Sequence, residues 1–166
     1  MSTDDGSSDL TRITDHPAAI AAAIQIVGNA RRRLWIRSLA LESWLFDNTD
    51  LLTALRDFAT AGRDGQVLIL LHDAAAPQAT HAKLLELAQR LPSVFQFREV
   101  DDPVYREDRS AMLANDVGDY YTRTQGERVE GIASTGQRAR VRQLQQRFDE
   151  IWERARVVSE YRTLGI

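Results

Sequence analysis

The chain has 166 residues, a formal charge of −3 and no cysteine. That length suits one domain that buries roughly two-thirds of its unfolded surface without a metal or disulfide staple. The missing cysteine excludes a disulfide scaffold, a thiolate nucleophile and cysteine-ligated zinc or iron–sulfur clusters. No apolar run approaches the roughly 20 residues of a membrane span, and Met1 to Leu10 lacks a basic, apolar signal region. The expectation is a soluble cytoplasmic protein. Asp4, Asp5, Asp9 and Asp15 against Arg12 carry the whole net charge, which leaves the body neutral. A neutral body argues against strong non-specific binding to nucleic acid or anionic lipid. Lys83 is the one lysine among 21 basic residues, so any chemistry that needs an ammonium must use it.

Residues 1–13 read as a disordered acidic tail, polar and without periodicity. A helix is predicted from Asp15 or His16, with Pro17 in its first turn. Ile20, Ala23, Ile24, Val27 and Leu34 form its core face, and Arg31, Arg32 and Arg33 close it, where cations suit the negative pole of the dipole. Leu34–Ala40 and Gln66–Asp73 read as strands. Both are apolar with little alternation, as strands buried on two faces are, and this suits a parallel sheet with crossover helices.

Between them a helix is predicted near Asp50–Thr60, with Asp47, Asn48 or Thr49 as its cap and Gly62 as its stop. A third helix is predicted from Gln78 to Leu91, and Val94–Val100 alternates as a half-exposed strand. Asp101–Asp108 reads as a polar loop. Ser110–Asp116 and Asp119–Thr124 read as a hairpin about Val117-Gly118, and Val129–Ser134 as a further strand. The last helix, Gln137–Arg156, presents Val141, Leu144, Phe148, Ile151, Trp152 and Ala155 on one face.

This order resembles one repeat of the phospholipase D superfamily over residues 17–156. Phe148-Asp149-Glu150-Ile151-Trp152 is similar to the phenylalanine-three-spacer-tryptophan pattern that closes such repeats. The chain also resembles a group of bacterial domains with a degenerate version of the fold, some of them found beside acetyltransferase domains. The resemblance implies a His-x-Lys-x-x-x-x-Asp motif on the first hairpin strand. There a histidine attacks phosphorus, a lysine stabilises the phosphoryl oxygens and the carboxylate orients the histidine. Two such motifs make one site, so a single repeat would pair as a homodimer. With the pattern's Asp on Asp116, the histidine position falls on Arg109 and the lysine position on Ala111. The following Gly-Ser falls on Arg123 and Thr124, and a later Asn on Glu127. Arginine cannot replace the nucleophile, because its guanidinium is not deprotonated near neutral pH. No His or Lys follows Lys83 to shift the register. His81-Ala82-Lys83 is a His-x-Lys on a predicted helix, with Ala88 where the Asp should stand.

Other polar groupings carry less chemistry. His72-Asp73 ends a strand at the sheet's carboxyl edge, where open α/β sheets bind ligands. Neighbouring strand residues point to opposite faces, so the two do not act together simply. Asp102, Glu107 and Asp108 lack calcium-loop spacing. There is no Gly-rich phosphate loop and no serine elbow. Arg31, Arg32, Arg33 and Arg37 form one basic cluster, and Arg138, Arg140, Arg142 and Arg147 a second.

The expectation is therefore an α/β fold in residues 14–166: a single phospholipase D-like repeat whose mixed sheet is flanked by helices on both faces. It is a pseudoenzyme without catalytic residues, cofactor or metal site, acting as a ligand-binding, scaffold or regulatory module. A polar groove is expected at Arg37, His72, Arg109, Asp116 and Arg123. The expected partners are a second copy of the chain and an acetyltransferase-associated protein, with no membrane. Nucleic acid is disfavoured; if bound, it would use Arg138, Arg140 and Arg142. The alternative activity is a phosphodiesterase or nuclease-type hydrolase with a rearranged site on His72 or His81.

Overall fold

In the computed structural model, which describes residues 10–162, eight strands form one mixed sheet in the order β1-β7-β6-β5-β2-β3-β4-β8. The strands are β1 (Thr11–Ile13), β2 (Arg33–Ser38), β3 (Gln66–Leu71), β4 (Phe95–Glu99), β5 (Ala111–Asn115), β6 (Tyr120–Arg123), β7 (Gly131–Ser134) and β8 (Arg156–Val157). The helices are α1 (His16–Asn29), α2 (Ser43–Phe46), α3 (Thr49–Ala59), α4 (Ala75–Ala79), α5 (Lys83–Arg90), α6 (Pro103–Arg106) and α7 (Arg138–Glu153). Strands β2, β3 and β4 run parallel, and β5 returns antiparallel beside β2. Among the described residues no helix is long and apolar enough to cross a membrane.

The two faces of the sheet are covered separately. Leu34 and Ile36 of β2 with Val67, Ile69 and Leu71 of β3 pack under α1, α3 and α5. Trp35 of β2, Leu70 of β3, and Met112 and Ala114 of β5 pack under α7. Each strand thus sends alternate residues into opposite cores, which is why β2 and β3 read as continuous apolar runs. The Phe148 and Trp152 pair serves this packing: the rings stack with centroids 5.6 Å apart and lock α7 onto the second core.

Local chemistry sets the helix starts. Asp15 accepts the Ala18 N–H at 2.9 Å and Asn48 accepts the Leu51 N–H at 3.0 Å, each satisfying an orphan donor of a first turn. Several expectations are corrected. Thr11–Ile13, read as tail, form β1 and pair with β7; residues 1–9 lie outside the described residues. Helix α1 ends at Asn29, short of the arginine triplet, because Ala30 is extended and the Asp116 carboxylate takes the Arg31 and Arg32 N–H groups at 2.9 Å each. Leu34 therefore belongs to β2. The helix expected over Gln78–Leu91 is two helices, broken where His81 takes a φ of 53°. Short α2, α6 and β8 stand where loop or other structure was expected.

Candidate functional site

Because β5 runs antiparallel to β2, the hairpin's two ends lie at opposite edges of the sheet. Six residues, most of them in β5, separate Arg109 from Asp116, a span of roughly 20 Å. The five expected groove residues therefore divide. Asp116 is at the amino edge, spent on two backbone amides. Its expected place in the groove is corrected by the reversal of β5. Arg37, His72, Arg109 and Arg123 are all at the carboxyl edge, but not on one face.

Arg37 and His72 lie on the α7 side, since β2 turns Trp35 and Arg37 the same way and β3 does so with Leu70 and His72. Arg37 is 4% exposed. Its Nη2 donates to the Asp108 carbonyl at 2.7 Å, and its Nη1 stands 3.4 Å from the Asp108 carboxylate. Burial pushes the Arg37 guanidinium down from its ordinary pKa, against the pull of Asp108. Burial alone would raise the Asp108 carboxyl, but hydrogen bonds from Ser110 and the charges of Arg37 and Arg147 hold it below the usual range.

His72 is 3% exposed, and neither imidazole nitrogen makes a hydrogen bond. The Asp108 carbonyl, which also accepts from Arg37, faces the ring and favours its charged form. Burial first, then the Arg37 charge, lowers the His72 pKa below its ordinary 6.5. Arg37 Nε is likewise buried without a partner. Such groups cost about 1–3 kcal/mol each when left unmatched.

On the opposite face, Arg123 is 3% exposed and pairs with Glu42 at 3.2 Å. Its Nη1 donates to the Gly126 carbonyl at 2.9 Å, and the guanidinium lies 5.1 Å from the Trp44 ring centroid. Glu42 also accepts from the Ser38 hydroxyl and from the Ala40 N–H. Arg123 is thus a structural clamp between the hairpin and the turn after β2.

A cleft of ≈ 700 Å³ opens over this carboxyl edge. His72 lines it together with Trp44, Glu42, Arg106, Arg109 and Glu127. Arg106 donates to the His72 and Val100 carbonyls at 3.2 and 2.7 Å, while Arg109 and Glu127 form a half-exposed pair at 3.7 Å. Of the positions where the resemblance places a histidine, a lysine and an asparagine, Arg109 and Glu127 line the cleft, whereas Ala111 is buried in β5 outside its lining. Gly126 N–H donates to the Arg109 carbonyl at 2.8 Å, and Ala111 pairs with Arg123 across the hairpin. A side chain on Gly126 would press 2.8 Å from that carbonyl, so only glycine permits this approach. His81 and Lys83 do not line the cleft. Asp108, Ser110, Glu42 and Arg106 were not singled out as site residues; the Asp-Arg-Ser turn, in which Asp108 accepts the Ser110 N–H at 3.0 Å, was the signal available for two of them. Among the described residues no three metal-ligating side chains cluster.

Residues 15–164 match the family model described as "Domain of unknown function (DUF7931)". The chain belongs to this family. No curated protein matches the DUF7931 chain in sequence. Solved structures match it in fold. TrmBL2, an archaeal chromatin protein whose structure is described as showing a novel mode of DNA binding, aligns at a TM-score of 0.63 and 14% identity over 90% of this chain. The chain spans 54% of that protein's length. Nuc from Salmonella typhimurium, a phospholipase D family member, aligns at 0.60 and 12% identity over 93% of this chain and 100% of its own. NucT from Helicobacter pylori aligns at 0.57 and 9% identity over 90% and 99%. The DUF7931 chain therefore has a phospholipase D-like fold.

Proposed function

We propose that this domain is a non-catalytic phospholipase D-like module that binds a phosphate-bearing ligand in the carboxyl-edge cleft. One observation carries the reading: the motif's histidine and asparagine positions meet in the cleft, yet they hold an Arg109–Glu127 ion pair, and the lysine position holds a buried alanine. Histidine-mediated phosphoryl transfer needs an imidazole that reaches phosphorus. A neutral imidazole is the nucleophilic form, so the lowered pKa of His72 does not disqualify it. Its burial does, because phosphorus must come within bonding distance of the ring.

Binding needs less. Exposed ion pairs are weak, so a phosphate can take Arg109 from Glu127 with little loss. Arg106 lies beside it at the rim of the cleft. Guanidinium groups match phosphate oxygens with charge-assisted, forked hydrogen bonds. The second copy of the chain and the acetyltransferase-associated partner enter this reading as candidate listeners to the bound state.

The test uses bis(p-nitrophenyl) phosphate, which reports turnover, and inorganic phosphate, followed by calorimetry and thermal shift. The expected result is saturable binding that weakens at least about tenfold in Arg109→Ala, with no hydrolysis. Hydrolysis that disappears in His72→Ala or His81→Ala would instead establish the rearranged phosphodiesterase.

A further inference from the structure

Two arginine groups far apart in the chain meet at the other end of the sheet. The β5–β6 turn joins them. On one side its Asp116 carboxylate receives the Arg31 and Arg32 N–H groups at 2.9 Å, which leaves both guanidinium groups exposed. Arg63, in the loop before β3, shares a cleft of ≈ 750 Å³ with them. On the other side the Gly118 carbonyl accepts the Gln137 N–H at 2.7 Å, which seats the start of α7 on the turn. Gly118 has a φ of 102°, and a Cβ there would lie 2.9 Å from the Arg138 nitrogen, so the turn and the helix touch backbone to backbone.

Arg138 and Arg142 are one turn apart and share a face of α7. Helical side chains lean toward the amino end of the helix, here toward the turn. Arg140 lies about 200° from Arg138 around the helix and donates to Gln143 at 3.2 Å. The expected trio therefore does not form one surface, whereas Arg31, Arg32, Arg63 and Arg138 do surround the turn. None of these four has an ion-pair partner among the described residues. Hydrogen bonds do not cancel charge, so three acids count against them: Asp116 in the same cleft, Asp119 buried in its network, and exposed Asp64 beside Arg63; the four arginines exceed these three. The placement also opposes local stability, because the positive pole of α7 disfavours cations in its first turn. A cationic edge that the fold does not use internally is matched by a chain of phosphates.

We propose that this amino edge is a second binding surface, independent of the cleft, for the phosphate backbone of double-stranded nucleic acid. The surface spans a turn with arginines on both flanks, so it suits repeated charges better than one small anion. Tyr120 and Tyr121 of the adjoining strand are buried, which leaves no stacking platform of the kind single strands use. Contact is then to phosphate and insensitive to sequence.

The experiment measures binding of a fluorescein-labelled 30-base-pair DNA duplex by anisotropy between 50 and 300 mM NaCl. Four phosphate contacts predict a slope of log affinity against log salt of about −3 to −4. The Arg63→Glu/Arg138→Glu variant should lose at least about tenfold in affinity and about two units of slope. Both side chains are exposed, and a melting temperature no lower than that of the unaltered chain verifies the fold. Arg128→Glu, exposed in the β6–β7 loop and outside both clefts, should bind DNA as the unaltered chain does. Absence of binding at 50 mM NaCl, equal binding by the double variant, or loss in Arg128→Glu alone overturns the proposal. So does failure on DNA combined with arginine-dependent binding to phosphatidylserine vesicles, which would reassign the edge to a membrane surface. Because the cleft is probed with inorganic phosphate and Arg109, failure of either reading leaves the other distinguishable.

Discussion

The two ends of the sheet treat buried polar groups in opposite ways. At the amino edge Asn115 donates to the Ile26 carbonyl at 2.8 Å and to Asp119 at 2.9 Å, and accepts from the Val117 and Asp119 N–H groups. Asp119 also accepts from Asn29 and from the Gly136 N–H. These polar side chains are buried and matched; the Ser134 hydroxyl is the exception there. At the carboxyl edge His72 is buried and unmatched at both nitrogens, and Arg37 at one. A closed network holds a hairpin in place, whereas the unmatched groups under α7 carry a desolvation penalty. Burial and polarity are common to both edges, so neither property marks a site without the hydrogen-bond inventory.

Substitutions separate the two behaviours. The largest effect is expected for Arg123→Ala, which strands the largely buried Glu42 carboxylate; about 3–5 kcal/mol of stability should be lost in urea unfolding. Asp119→Ala comes next, at about 2–3 kcal/mol, because it orphans the Asn115 and Asn29 amides and the Gly136 N–H together. A cost below about 0.5 kcal/mol would show that the amino-edge network is incidental.

His72→Leu should change stability by no more than about 1 kcal/mol, since it removes unsatisfied groups while keeping an apolar body. The same variant tests a pH effect. The folded pKa of His72 lies below its ordinary 6.5, so the unfolded chain binds the proton more readily. The His72 contribution is complete above pH 6.5 and is lost as the pH falls through the folded value. Unfolding free energies measured from pH 7.5 to 5 should show this decline in the unaltered chain and less of it in His72→Leu. The smallest effect is expected for Arg138→Gln, within about 0.5 kcal/mol in stability and towards stabilisation, because a cation leaves the positive pole of α7. A substantial loss there would mean that the amino-edge arginines are structural after all.

Much of the frame was legible in the chain. The apolar runs of β2 and β3, the caps Asp15 and Asn48, and the face of α7 all follow from spacing and side-chain chemistry. The elements β1, β8, α2 and α6 were not legible, because two to four residues carry too little of any period on their own. The break at His81 was hidden for a different reason. The sequence around it keeps helical spacing, and the left-handed residue carries no glycine to mark it.

Strand ends and motif positions in the sequence pointed to Arg37, His72, Arg109 and Arg123, which stand at the carboxyl edge. That reasoning could not place Arg37 and His72 under α7 while Arg123 clamps Glu42 across the sheet. It also joined Asp116 to the wrong edge.

The amino-acid sequence by itself determined which chemistry is on hand: Lys83 is the last lysine and no histidine follows it, wherever the chain folds. Tertiary structure alone decided where that chemistry stands. A residue's face depends on the parity of its strand and its edge on strand direction, and both come from pairing between distant segments that local spacing does not encode.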